Sequence, residues 1–170
     1  MGMILCLRTV SDDTLDHLLD EPEAIIALLD DEVVEDDGNI SDEGISADLD
    51  KAWHAIHYLL TGTAWEGQGP EAFLLAGGKT IGEVDVGYGP ARGFSARDTR
   101  EIAAALDQLP HEFLATRFDG ATLDAAEIYP EIWARDGNEG LAYITEYYDS
   151  LRSFVATAVR KKMGMLVFIT

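Results

Sequence analysis

The sequence predicts an α+β fold: a single compact domain with several helices packed on a small, mostly antiparallel sheet that includes the N- and C-terminal strands. Three observations carry this reading. Short apolar runs lie near both ends, at residues 3–7 and 165–169, each too apolar to stand alone on a sheet surface. Between them apolar residues recur at helical spacing, and strands at the ends with helices between indicate α+β rather than an alternating order. Finally, 170 residues at 47% hydrophobic suffice for one sizeable core and are short for two. No repeat or linker divides the chain, so residues 1–170 are read as one domain.

Taken in order, Met3 to Leu7 is a strand, too short for a helix. Ser11 is an N-cap before Asp12 and Asp13, and Leu15, Leu18 and Leu19 form the apolar side of that helix. Pro22 opens a second short helix through Ile25 and Leu29. Residues 30–50 contain ten acids in 21 positions and read as an acidic surface loop, with a brief strand at Val33-Val34. The next helix is placed within Asp48 to Trp65, with an acidic start and a Thr61-Gly62 stop. A helical turn follows at Glu71 to Leu75. Residues 81–94 alternate at Val84, Val86 and Tyr88, which predicts a strand. Ser95 and Asp98 form a capping pair for a helix from Ala96 to Leu109. Helical turns follow at 111–118 and 121–126, and residues 134–137 read as a polar turn. The longest helix spans about Asn138 to Lys162, with its stripe at Leu141, Ile144, Tyr148, Leu151 and Val155. Gly164 ends it before the terminal strand.

The net charge of −20 is unevenly placed: residues 1–50 hold sixteen acids against Arg8 alone. Such a field repels nucleic acid and anionic membrane, and it favours a basic protein partner or simple solubility. The lone Cys6 sits in an apolar run, as a small hydrophobe rather than a reactive thiol, and one cysteine allows no internal disulfide. There is no charged n-region with a signal-length apolar stretch and no run of about 20 apolar residues, so a cytoplasmic location is expected.

Several motifs suggest chemistry and fail on spacing. The acidic string around Gly38 and Gly44 does not place oxygen ligands where a calcium loop needs them. Gly78-Lys79-Thr80 lacks the first glycine of a phosphate loop, because Phe73 stands there. Gly87, Gly89 and Gly93 miss the dinucleotide spacing by one residue, and Pro90 interrupts them. No cofactor is expected.

The start MGM, the stretch DLDKAWHAIHYLLTG, the stretch GYGPARGFSARDTREIAAAL and EIYPEIW together resemble the YfbM-like family, a bacterial domain of unknown function. The resemblance spans essentially the whole chain, and 53–62 and 89–95 are its most specific parts. It implies one α+β domain from a bacterial cytoplasm and brings no activity, ligand or catalytic residue. Gly93 departs from it, standing where a larger residue is expected.

Three clusters are candidates for chemistry. Asp50, His54 and His57, at i, i+4 and i+7, fall within roughly 60° on a helical wheel and could face a metal; the competing reading makes His57 a core histidine beside Trp53 and Leu60. Arg92, Arg97 and Arg100 gather around the Ser95 cap, where free N–H groups and guanidinium forks would hold an anion; alternatively they pair with the surplus of carboxylates. Glu127 and Tyr129 with His57 could form an acid–base pocket, or Tyr129 and Trp133 could simply close the core. No nucleophile motif is present, and no catalytic residue is assigned. The preferred reading is a non-catalytic protein-binding module that meets a basic partner through its acidic amino-terminal face. The alternative is an enzyme or small-ligand receptor with an anion-binding pocket of Arg92, Ser95, Arg97 and His57. Oligomeric state is not legible.

Overall fold

The computed structural model describes residues 2–30 and 44–170. Most of the expected acidic loop, the Val33-Val34 strand and the failed calcium motif lie outside the described residues. The two apolar ends pair as expected. Strand β1 (Leu5–Val10) runs antiparallel to β5 (Gly164–Ile169), with Leu5 opposite Ile169 and Val10 opposite Gly164. β2 (Ser46–Asp48) joins the outer side of β1, and β4 (Arg92–Phe94) joins β5 and carries the two-residue β3 (Lys79–Thr80). The order is β2-β1-β5-β4-β3, antiparallel throughout, with the chain ends at the centre.

Alternation along the strands divides the core between the two faces. Leu5, Leu7, Phe94, Met165 and Val167 enter a large cluster with Trp53, Ile56, Ile144, Tyr148 and Leu151. Val10 and Leu166 enter a smaller one with Leu15, Leu18, Ile25 and Ile81. Helices α1 (Asp12–Asp20) and α2 (Ala24–Asp30) cover the small cluster. The large cluster is covered by α3 (Trp53–Thr61), α4 (Ala96–Asp107), α5 (His111–Arg117), α6 (Gly120–Ala125) and α7 (Trp133–Arg160).

The caps read from sequence are in place. Ser11 Oγ accepts from Thr14 N at 3.1 Å. Ser95 and Asp98 form a reciprocal capping box, and Gly62 closes α3 in the left-handed region at φ 79°.

Three expectations are corrected. The stretch 81–94 is not one strand: β3 ends at Thr80, β4 begins at Arg92, and the intervening chain turns repeatedly. Its alternation arises because Ile81, Val84 and Val86 pack on the small cluster, not from sheet pairing. Helix α3 starts at Trp53, because Ser46–Asp48 pairs with β1 and Asp50 takes a left-handed φ of 42°. Residues 134–136 belong to α7, whose regular run resumes after a break at Gly137, φ 51°.

Gly93 is explained by α1: a Cβ there would fall on the Leu15 side chain. Gly164 is tighter, because its Cβ would fall on the Phe94 carbonyl oxygen and within 3.0 Å of the Ser95 carbonyl carbon, both backbone atoms. Gly164→Ala is therefore expected to part β5 from β4 and cost about 1–3 kcal/mol, or more, in urea denaturation. An unchanged midpoint would contradict this packing.

Candidate functional site

Helix α3 carries both histidines to full burial. His54 is a bridge. Its Nδ1 accepts from Tyr129 N at 2.9 Å, which leaves the proton on Nε2 to be donated to Ala64 O at 2.8 Å. One imidazole thus ties α3 to the loop after it and to the segment before α7. The ring stacks on Trp53, with centroids 4.9 Å apart, and meets Trp65 at 4.2 Å. His57 uses Nε2 toward Glu66 O at 2.9 Å, while its buried Nδ1 has no partner among the described residues. Burial holds both imidazoles below the ordinary 6.5, against the opposing pull of their carbonyl bonds; nearby Arg92 lowers His57 further.

The helical face drawn for a metal does not form. Asp50 precedes α3, and its carboxylate accepts from Tyr143 Oη at 2.8 Å. Among the described residues no group of three His, Cys, Asp or Glu side chains is arranged to hold a metal ion.

The residues suggested for anion binding are given separate tasks. Arg92 turns to the carbonyls at the end of the helical turn after Pro70: Nη2 donates to Phe73 O at 2.9 Å and Leu74 O at 2.5 Å, and Nη1 to Gly77 O at 3.0 Å. Burial pulls its pKa down to about 10, and the guanidinium lies 5.6 Å from the Phe94 ring centroid. The start of α4 is filled by the protein's own carboxylates, Asp98 on Ser95 N at 3.2 Å and Asp12 on Ala96 N at 2.8 Å. Arg97 is exposed and lies 3.5 Å from Glu101 one turn on; Arg100 is exposed as well.

Glu127 is exposed in a left-handed turn at φ 56°. Tyr129 Oη accepts from Met3 N at 3.0 Å and its ring stacks on Trp53 at 5.8 Å, and the buried Trp133 donates from Nε1 to Ile128 O. Tyr129 and His54 meet through the Tyr129 backbone; no hydrogen bond joins Glu127 or Tyr129 to His57 among the described residues.

A concavity lies elsewhere, between β2 and α7. An open groove of about 560 Å³ is lined by Ile45 and Ala47 on one side and by Glu146, Asp149, Ser150 and Ser153 on the other. Glu146 and Asp149 are exposed, and His111 reaches Asp149 and Glu112 at 3.1 Å each. Desolvation raises the pKa of Tyr147, reinforced by the charges of Asp50, Asp48 and Glu146. The three-residue β2 leaves no hydrophobic run in the sequence to announce this groove.

The comparisons agree with this architecture. A family model described as a domain of unknown function, DUF1877, matches residues 1–168. The chain belongs to the DUF1877 family. A crystal structure of YfbM from Escherichia coli, a protein of unknown function, matches with a TM-score of 0.75 at 20% identity, covering 98% of this chain and 99% of that one. At that identity the match establishes the DUF1877 fold alone, and it bears out the YfbM-like resemblance. Comparison with curated proteins finds no match. Among the described residues no helix is long and apolar enough to cross a membrane.

The His54 bridge makes a pH prediction. With folded pKa values below 6.5, the unfolded chain takes up protons first as pH falls; the contribution of these groups is fully present above about pH 6.5 and is lost progressively below it. Urea denaturation at about pH 7.5 and 5.5 should therefore show a loss at the lower pH that shrinks in His54→Leu. That variant should itself be less stable by about 2–4 kcal/mol, because Tyr129 N–H and Ala64 C=O lose their partner. Equal pH dependence in the two proteins would contradict the bridge.

Proposed function

We propose that this DUF1877 chain is a non-catalytic binding module that takes a basic protein segment on its acidic face. The observation that carries the reading is the β2–α7 groove, where shape and charge coincide. Ile45 and Ala47 provide apolar floor, and Glu146 and Asp149 stand exposed above it. The whole molecule adds long-range attraction: its formal charge is −20, and Asp12, Asp13, Asp16 and Asp20 lie exposed on α1. A field of that sign speeds encounter with a cationic partner and rejects anionic ones, while the local contacts set the lifetime of the complex.

The commitments of His54 and Arg92 support binding over catalysis. His54 has both ring nitrogens committed to backbone groups, and three carbonyls share the Arg92 guanidinium. These are fixed structural bonds that a reaction cycle would have to break.

Calorimetric titration with a lysine- and arginine-rich peptide of about ten residues tests the reading. Binding is expected at low salt, weaker at high salt, and absent for an acidic peptide of equal length. The variant Glu146→Lys should weaken binding by about tenfold without changing the melting temperature, since that side chain is exposed. Equal affinity of the variant and the unaltered protein would refute the groove as the docking face.

A further inference from the structure

We infer that the basic segment docks as an added β-strand, paired antiparallel or parallel to the outer edge of β2, with alternate side chains lowered against α7. This rests on the basic-partner reading above and specifies how that partner is held.

The register of β2 on β1 decides which backbone groups are available. Thr9 N donates to Ile45 O at 2.9 Å, and Leu49 N donates to Leu5 O at 2.9 Å. Between these two bonds Leu7 stands opposite Ala47. In an antiparallel ladder the backbone groups of successive residues point to opposite edges. Ile45, Ala47 and Leu49 therefore turn their N–H and C=O inward to β1. Ser46 and Asp48 turn theirs outward, and β2 is the edge of the sheet. Four backbone hydrogen-bonding groups thus stand in one row, with no partner strand among the described residues.

Side chains alternate in the other direction. Ile45 and Ala47 pack toward the large cluster and form the floor of the groove, on the same side as α7. A strand laid along the edge would place every second side chain above that floor, facing α7. The groups lining that wall are Glu146 and Asp149, the latter also met by His111 at 3.1 Å, with Ser150 and Ser153 beside them. Carboxylates receive a lysine or arginine side chain through ion pairing. The occupant fitting both the edge and the wall is an extended segment with basic residues at every second position. The backbone bonds would supply much of the affinity and the alternating pockets the specificity.

The test uses the full chain and a peptide of about ten residues, lysine or arginine alternating with valine or threonine. Two further peptides carry backbone N-methyl groups, one on the odd amides and one on the even. Strand addition predicts that one methylation phase weakens binding by about tenfold or more while the other leaves it within a factor of about two, because only alternate amides face the protein. It also predicts that Ser46→Pro, which removes an outward N–H and leaves the β1 ladder intact, weakens binding by about tenfold at an unchanged melting temperature. If both phases bind alike and Ser46→Pro binds normally, strand addition is overturned and the charge-based docking of the preceding section stands. If no basic peptide binds at all, both fall together.

Discussion

The antiparallel pairing of β1 with β5 is the constraint on which the rest of the structure depends. It brings residues 5–10 and 164–169 into a six-residue register at the centre of the sheet, so every other element is placed relative to the two chain ends. The pair is buried on both faces, with Leu5, Leu7, Met165 and Val167 toward the large cluster and Val10 and Leu166 toward the small one. A one-residue slip would exchange these sets and drive Arg8, which donates to Leu28 O at 2.5 Å beside the small cluster, into the apolar side. Closing so long a loop carries an entropy cost that burial of both faces helps to offset.

From that pairing follow the two edges, and their difference matters for function. On the β5 side, β4 is held by Gly164 against the Phe94 backbone and by Arg92 gathering the carbonyls of residues 73, 74 and 77. On the β1 side, three residues of β2 complete the sheet, and α7 rises beside them to make the groove. The polar groups of highest apparent chemical promise lie away from this edge and are consumed internally. His54 satisfies two backbone groups at once, and Asp12 and Asp98 satisfy the start of α4. These charges hold the fold.

The sequence made the fold class readable because its strongest signals are local. The terminal strands, the Ser11 and Ser95 caps, the Gly62 stop and the stripe of α7 depend on spacing within a few residues, and each is observed. The site was less readable because its determinants are not local. Asp50, His54 and His57 lie on one face only if residues 50–57 are helical, and pairing of Ser46–Asp48 with β1 denies Asp50 that helix. The alternation of residues 81–94 records contact with α1 and α2, which periodicity does not distinguish from a strand. Both histidines are fully buried because the loop of residues 63–67 folds over them, a contact that helical spacing does not encode. Nothing in Ser46-Ala47-Asp48 marks an edge strand; its role comes from the register of β1.

The central functional claim is that the outer edge of β2 is open and is closed by a basic strand. Residue-resolved amide hydrogen exchange on the full chain, alone and with the alternating basic peptide, measures this directly. The account predicts that the Ser46 and Asp48 amides exchange rapidly in the free protein and slow markedly on binding, while the inward Ala47 amide is slow in both states. Protection of Ser46 and Asp48 without peptide, or binding that leaves their exchange unchanged, would contradict it.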